Sequence, residues 1–140
     1  MNEEEKKKKL QEKYYEFQVL KQHLEEIQQQ KQILSQKGGE ISKAGETLDD
    51  LGDVKEGKDV FAQLGGGMFI RTSLKNNKEV LMDAGANVLV SKKIPEAKKF
   101  MDEKVKEVGE ALKNIDEALE KAGGQLQVLQ KEIISLSEGK

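Results

Sequence analysis

The residues of this chain that could do chemistry are one histidine, one glycine run and a few grouped carboxylates. Gly65-Gly66-Gly67 has the composition of a phosphate-binding loop. Such a loop needs a Lys-Ser/Thr pair after it and a helix that begins there, and the sequence offers neither, so a turn is the better interpretation. His23 is the single histidine in a chain without cysteine, which is too little for a metal site or a nucleophilic triad.

The carboxylates near the end of the first helical pattern do not form a recognisable site either. Asp49, Asp50 and Asp53 lack the spacing of a calcium-binding loop, and a solvated helix end explains them. We therefore predict that the protein is not an enzyme and that it binds no cofactor and no metal.

The composition restricts the partners. Charged residues make up 36% of the 140 residues and aromatic residues 4%, and the net charge is −2 with lysines and glutamates interspersed. This balance is typical of long, surface-rich helices and predicts no nucleic-acid partner. No run of 18 apolar residues occurs, so we expect no membrane span. The absence of cysteine excludes disulfides and fits a cytoplasmic location.

An apolar ladder with alternating steps of four and three residues runs through the last third of the chain. This is the heptad pattern of a helix whose apolar seam faces another helix. The members of the ladder are Met101, Val105, Val108, Leu112, Ile115, Leu119, Ala122, Leu126, Leu129, Ile133 and Leu136.

The first third of the chain carries a matching ladder. Its members are Leu10, Phe17, Leu20, Leu24, Ile27, Leu34, Ile41 and Leu48. The two arms, residues 10–51 and 95–136, are equal in length and each would extend roughly 60 Å as a helix. Equal arms joined by one insertion favour an antiparallel coiled-coil hairpin with both termini at its free end, over a parallel dimer of two separate coils. Because glycine weakens a helix, Gly38-Gly39 and Gly123-Gly124 predict local flexibility in the arms.

Between the arms, residues 59–92 change to an alternation of period two. Short apolar runs are separated by Gly65-Gly66-Gly67, Asn76-Asn77 and Gly85-Ala86, which favour turns. We predict four short strands in two hairpins, and therefore an α+β fold: a long antiparallel coiled-coil hairpin with two β-hairpins inserted between the helices. The predicted domains are the N-terminal helix at 1–52, the β-hairpins at 53–94 and the C-terminal helix at 95–140.

The predicted hairpins carry apolar groups on both faces and have open strand edges. A sheet of about 35 residues with two apolar faces finds no cover within the chain, so it must pair with other chains. We therefore predict that the hairpins mediate oligomerisation. The residues assigned to this role are Val60, Phe61, Leu64, Met68, Phe69, Ile70, Leu74, Val80, Leu81, Met82, Val88, Leu89 and Val90.

Two segments of the insertion resemble the α-type subunits of the prefoldin family. They are LGGGMFI at residues 64–70 and VLMDAGA at residues 80–86, and Glu96-Ala97 follows at the start of the second arm. Because these segments lie between equal heptad arms, the resemblance extends over essentially the whole chain. The sequence departs from the family pattern at Gln63, Asp83 and Asn87, which leaves the exact paralogue open.

The resemblance implies an ATP-independent molecular chaperone. Two α-type and four β-type subunits would form a hexamer whose hairpins close into a β-barrel body. Coiled-coil arms would hold unfolded protein clients at their tips and pass them to a group II chaperonin. The residues by themselves support the arms, the oligomerising sheet and the free end, and they leave a second function open: a structural coiled-coil scaffold whose β segment sets the oligomer number.

The free end of the predicted helical hairpin carries apolar residues that the seam does not require. Tyr14, Tyr15, Val19 and Ile134 fall outside the ladder positions. Such groups can form an adaptable apolar patch for clients, or they can widen the seam or contact neighbouring arms. The predicted client-binding residues are Tyr14, Tyr15, Phe17, Val19, Ile133, Ile134 and Leu136.

Overall fold

A computed structural model describes residues 2–138 of the chain. The order of elements is helix, four strands, helix, with bounds α1 Glu3–Asp53, β1 Asp59–Gly65, β2 Met68–Ser73, β3 Glu79–Asp83, β4 Leu89–Lys93 and α2 Ile94–Ser137. Backbone contacts divide the chain into two compact units. The first unit contains the chain up to Gln36 and from Val108 onward, and the second unit is Lys37–Glu107.

In the first unit, the N-terminal part of α1 runs antiparallel to the C-terminal part of α2. Two ion pairs join them: Lys13 Nζ lies 2.7 Å from Glu132 Oε2, and Lys31 Nζ lies 2.6 Å from Asp116 Oδ1. Residue numbers therefore rise on one helix as they fall on the other. The buried apolar residues of this unit are Ile27, Ala122 and Ile133. Because a seam between two helices encloses little volume, most other ladder residues stay half-buried.

The second unit contains the other ends of the two helices, which pack on each other at small side chains. Leu48 and Ala97 are buried here. Gly45 is also buried, and a Cβ atom at this position would lie 3.9 Å from Met101 Cβ and 3.3 Å from Lys98 Nζ. The glycine therefore permits a close approach of the helices, and Lys98 Nζ lies 3.1 Å from Asp49 Oδ2 across the same contact.

Neither predicted site of flexibility interrupts its helix. Helix α1 continues through Gly38-Gly39, and α2 continues through Gly123-Gly124. The apolar ladder runs past both pairs, so packing along the seam offsets the poor helix propensity of glycine.

The strands form two separate antiparallel hairpins, β1–β2 and β3–β4. In the first hairpin, Phe61 is paired with Arg71, and the register shifts between Gln63 and Gly65 before the turn. Gly65, Gly66 and Gly67 all have positive φ angles, of 103°, 58° and 77°, which explains why the turn uses glycine. The glycine run is therefore a hairpin turn, as the sequence predicts.

The second hairpin turns through residues 84–88. The Ala84 N–H donates to the Val88 carbonyl oxygen at 2.8 Å, and the Asp83 carboxylate accepts the Gly85 N–H at 2.8 Å. Asp83, one of the departures from the family pattern, thus stabilises this turn through an Asx-type hydrogen bond. Val88 falls within the alternation of residues 59–92, but the fourth strand begins at Leu89, since the Val88 N–H donates to the Gly85 carbonyl oxygen within the turn.

Hydrogen bonds also tie the hairpins to the helices of the second unit. The Asn77 side-chain amide donates to the Val54 carbonyl oxygen at 3.0 Å, just after α1 ends. The Ile94 N–H donates to the Lys78 carbonyl oxygen at 2.9 Å. Helix α2 follows β4 directly and carries Pro95 in its first turn, where the missing N–H of proline is tolerated.

Candidate assembly and client-binding surfaces

The residues with potential for chemistry have ordinary structural surroundings. His23 is exposed on α1, and Asp49 contacts Lys98. Within residues 2–138, no group of three or more His, Cys, Asp or Glu side chains is placed to hold a metal ion. Over the same residues, neither helix contains a stretch both long and apolar enough to cross a bilayer.

The hairpins present large apolar side chains to solvent. Phe61, Phe69, Leu81 and Leu89, one from each strand, are between 60% and 67% exposed. The Arg71 guanidinium lies 5.5 Å from the centre of the Phe61 ring. The other exposed residues of the predicted oligomerisation set are Leu64, Met68, Ile70, Val88 and Val90.

The remaining residues of the predicted oligomerisation set are partly covered. Val60, Leu74, Val80 and Met82 are half-buried. Val80 and Met82 border a groove of about 510 Å³ that Leu48 and Ala97 of the helices also line. The two faces of this hairpin therefore differ, since one lies against the helices and the other is open to solvent.

At the free end of the first unit, the structure separates the predicted client-binding residues by exposure. Tyr14, Tyr15, Val19 and Ile134 are 50%, 72%, 50% and 48% exposed. Phe17 and Leu136 are half-buried, and Ile133 is buried in the helix pair. The four exposed residues are the ones outside the ladder, so the seam alone does not account for them.

A groove of about 880 Å³ opens on one side of the helix pair at this end. Tyr15 and Val19 of α1 face Val128 of α2 across it, and the half-buried Leu20 and Leu129 lie at its base. Val128 is 56% exposed and was not among the predicted client-binding residues. It falls between the ladder positions Leu126 and Leu129, so the criterion that identified Ile134 would also have found it.

The charges at the groove are arranged around one ion pair. Lys13 occupies a seam position, and its hydrogen bond to Glu132 raises the lysine pKa above its usual 10.5, against a smaller opposing effect of desolvation. In the second unit, the hydrogen bond from Lys98 to Asp49 raises the pKa of Lys98 in the same way. These pairs show which residues lie opposite each other along the two helices.

Comparison with known proteins identifies relatives over most of the chain. Residues 20–138 match the family described as "Prefoldin subunit". The prefoldin subunit alpha of Archaeoglobus fulgidus is 29% identical over 126 residues, covering 90% of this chain and 92% of the relative. The prefoldin subunit alpha of Methanococcus aeolicus is 26% identical over 133 residues, covering 95% and 87%.

A solved structure shares the fold. The cryo-EM structure of filamentous PFD from Methanocaldococcus jannaschii superimposes with a TM-score of 0.71 at 17% identity, and covers 82% of this chain and 95% of that chain. The predicted α+β fold, with two long helices and two antiparallel β-hairpins between them, is confirmed. Within its described residues, one chain forms two separate two-stranded sheets and no closed barrel. The chain belongs to the prefoldin subunit family, a family of chaperone subunits.

Proposed function

We propose that the chain is a subunit of an ATP-independent chaperone that captures non-native proteins at the free end of its helix pair and passes them to a group II chaperonin. The observation that carries this proposal is the exposure of Tyr14, Tyr15, Val19 and Ile134 outside the seam. Exposing large apolar side chains costs free energy in water, so such a cluster marks a surface for apolar partners.

The chemistry of this patch suits clients without a fixed structure. Tyrosine and aliphatic side chains bury apolar area without demanding one hydrogen-bonding geometry, so they can accept many sequences. A single patch binds weakly. Several arms that hold one client together raise the overall affinity through effective concentration.

In this proposal, the hairpins mediate assembly with other subunits. We infer a hexamer of two copies of this chain with four β-type prefoldin subunits, in which the exposed residues Phe61, Phe69, Leu81 and Leu89 become covered and the strands close a barrel body. Capture by apolar contact consumes no nucleotide, so the subunit is not an enzyme and needs no cofactor. The proposed compartment is the cytoplasm.

The test is a Tyr14→Ser, Tyr15→Ser, Ile134→Ser triple variant of the assembled complex. Each lost apolar contact is worth about 1–2 kcal/mol, so client affinity should fall at least tenfold while the complex keeps its size. The assay is the suppression of aggregation of a chemically denatured test protein, read beside hydrodynamic size. Ile33→Ser is the matched control because Ile33 is 68% exposed on α1 and lies outside the predicted set.

The outcomes separate the two functions. If the correctly assembled triple variant suppresses aggregation as well as wild type, the free end has a structural role only, and the coiled-coil scaffold becomes the better interpretation. Seam changes at Leu112, Ile115 and Leu119 provide a contrast, since they should unfold the arm itself rather than weaken client binding selectively.

A further inference from the structure

We propose that Arg71 selects the partner of the first hairpin by binding a carboxylate of another subunit, and that this carboxylate lies between apolar side chains on one face of the partner's strand. The inference rests on the proposed assembly through the hairpins and assigns it a specificity-determining residue. The chain contains 24 lysine and arginine residues, and Arg71 is the one arginine among them. Its planar guanidinium can bind a carboxylate through two parallel hydrogen bonds, which a lysine ammonium cannot do.

Arg71 lies in the middle of one face of the β1–β2 hairpin. Three cross-strand pairs share this face, because side chains alternate along a strand. They are Asp59 with Ser73, Phe61 with Arg71, and Gln63 with Phe69. The guanidinium lies within cation–π distance of the Phe61 ring, 5.5 Å from its centre, and Phe69 is two residues away on the same strand. The basic group is therefore placed among the exposed aromatic side chains of the assembly face.

Arg71 has no acidic partner within residues 2–138. The ion pairs formed there all involve lysine. Asp59 is the one carboxylate on the same face and is the diagonal neighbour of Arg71 across the strands, yet the two form no ion pair. The arginine is exposed, so water solvates its guanidinium in the isolated chain.

Assembly through this face changes the surroundings of the guanidinium. A chain that covers Phe61 and Phe69 also removes water from Arg71, because the three side chains are neighbours. A desolvated cation without an acidic partner is strongly unfavourable. A subunit that brings a carboxylate to Arg71 is therefore accepted, and an apolar strand without one is rejected.

The same face of a second copy does not fit this requirement. Phe61 and Arg71 form the middle pair of the three, and residues near a two-fold axis contact their own copies. A two-fold contact between two such faces would therefore bring two guanidinium groups together. Like charges in contact oppose association.

The second hairpin of another copy is a poorer match as well. Its two carboxylates already have partners within their own hairpin: Glu79 accepts the Ser91 hydroxyl at 3.1 Å, and Asp83 accepts the Gly85 N–H at 2.8 Å. Lys93 is the cross-strand partner of Glu79 and balances its charge. The partner that fits is a strand of a different subunit, in which an aspartate or glutamate has apolar residues two positions before and after it.

The first experiment measures assembly of this chain with the β-type prefoldin subunit that co-purifies with it, by native mass spectrometry over a dilution series. Arg71→Gln should raise the concentration for half-assembly about tenfold and Arg71→Glu about a hundredfold. Arg71→Lys should lie between wild type and Arg71→Gln, because it keeps the charge and loses the planar donors. Lys75→Gln and Lys75→Glu are matched controls, since Lys75 is exposed just after β2, and both should assemble like wild type.

The second experiment identifies the carboxylate. In the complex that carries Arg71→Lys, a water-soluble carbodiimide couples the introduced amine to a carboxylate in contact with it, and mass spectrometry locates the amide bond. We expect the bond at an acidic residue of the other subunit that has apolar residues two positions before and after it. Coupling to Asp59, coupling to Asp83 of a second copy, or no coupling at all would overturn the proposal.

A charge exchange distinguishes recognition from loss of the hairpin fold. Arg71→Glu combined with arginine in place of the identified acid should restore assembly, because the pair is rebuilt with its charges reversed. A misfolded hairpin would not be restored by a change in the partner. Assembly that stays lost in the exchanged pair would overturn the proposal.

The outcomes also separate this inference from assembly through the hairpins. If Arg71→Glu assembles like Lys75→Glu while a Phe69→Asp, Leu81→Asp variant dissociates, the hairpins mediate assembly and Arg71 does not select the partner. If both variants assemble like wild type, the proposed assembly through the hairpins fails together with the role of Arg71.

Discussion

Replacement of Phe69 and Leu81 by aspartate should dissociate the oligomer while leaving the helices folded. These side chains are 61% and 67% exposed in the isolated chain, on different hairpins. Full burial of a phenylalanine or leucine contributes about 1.5–3 kcal/mol, so covering the exposed two-thirds contributes about 1–2 kcal/mol each. An unpaired carboxylate in a desolvated contact adds a further penalty of several kcal/mol.

The expected loss of association free energy is large enough to give a clear result. Two sites in each copy lose about 2–4 kcal/mol of apolar burial, before the cost of the charges is counted. A micromolar contact corresponds to about 8 kcal/mol, so the double variant should not assemble at micromolar concentration. Light scattering should show the large complex replaced by small species, while circular dichroism retains its helical signal.

The matched control places the same charges on exposed apolar positions outside the hairpins. Ile33→Asp with Phe100→Asp alters two residues of α1 and α2 that are 68% and 40% exposed. This control should assemble normally. A complex of unchanged size from the Phe69, Leu81 variant would refute the assignment of assembly to the hairpin faces.

Two other predictions concern nucleotide and pH. Aggregation suppression by the purified complex should be the same with ATP, ADP or neither. Measurable ATP hydrolysis by the wild-type complex that is absent from the Gly66→Val variant would contradict this prediction. The pKa values of Lys13 and Lys98 are raised above 10.5, so their ion pairs contribute fully below that pH and are lost as pH rises through the raised values. The melting temperature should therefore fall in strongly alkaline solution. It should fall less in a Lys13→Met, Lys98→Met variant, which lacks both ion pairs. An equal fall in wild type and variant would show that these pairs do not contribute to stability.

The sequence specified the helices and strands because each has a strong periodic signal. The four-three ladder of α2 persists from Met101 to Leu136, and the alternation in β1 and β3 is bounded by turn-forming residues. The antiparallel arrangement also followed from the equal arms. The start of β4 was less predictable, because Val88 suits a strand by type but is held by a local hydrogen bond in the turn.

Only part of the candidate surfaces could be predicted from the sequence. Heptad position identified Tyr15 and Ile134 as outside the seam, and the same criterion applies to Ile33 and Val128. The groove between Tyr15, Val19 and Val128 was not predictable, because it depends on the positions of two helices. The sequence did not identify Glu132 as the partner of Lys13, because the residue opposite a seam position is set by the register of the two helices.

Photo-cross-linking to a non-native client tests the central proposal most directly. A benzophenone amino acid would replace either Tyr15 or Ile33, which are 72% and 68% exposed on the same helix. We predict that the assembled complex cross-links a chemically denatured test protein from position 15 and not from position 33. Equal cross-linking from both positions, or none from position 15, would contradict client capture at the free end.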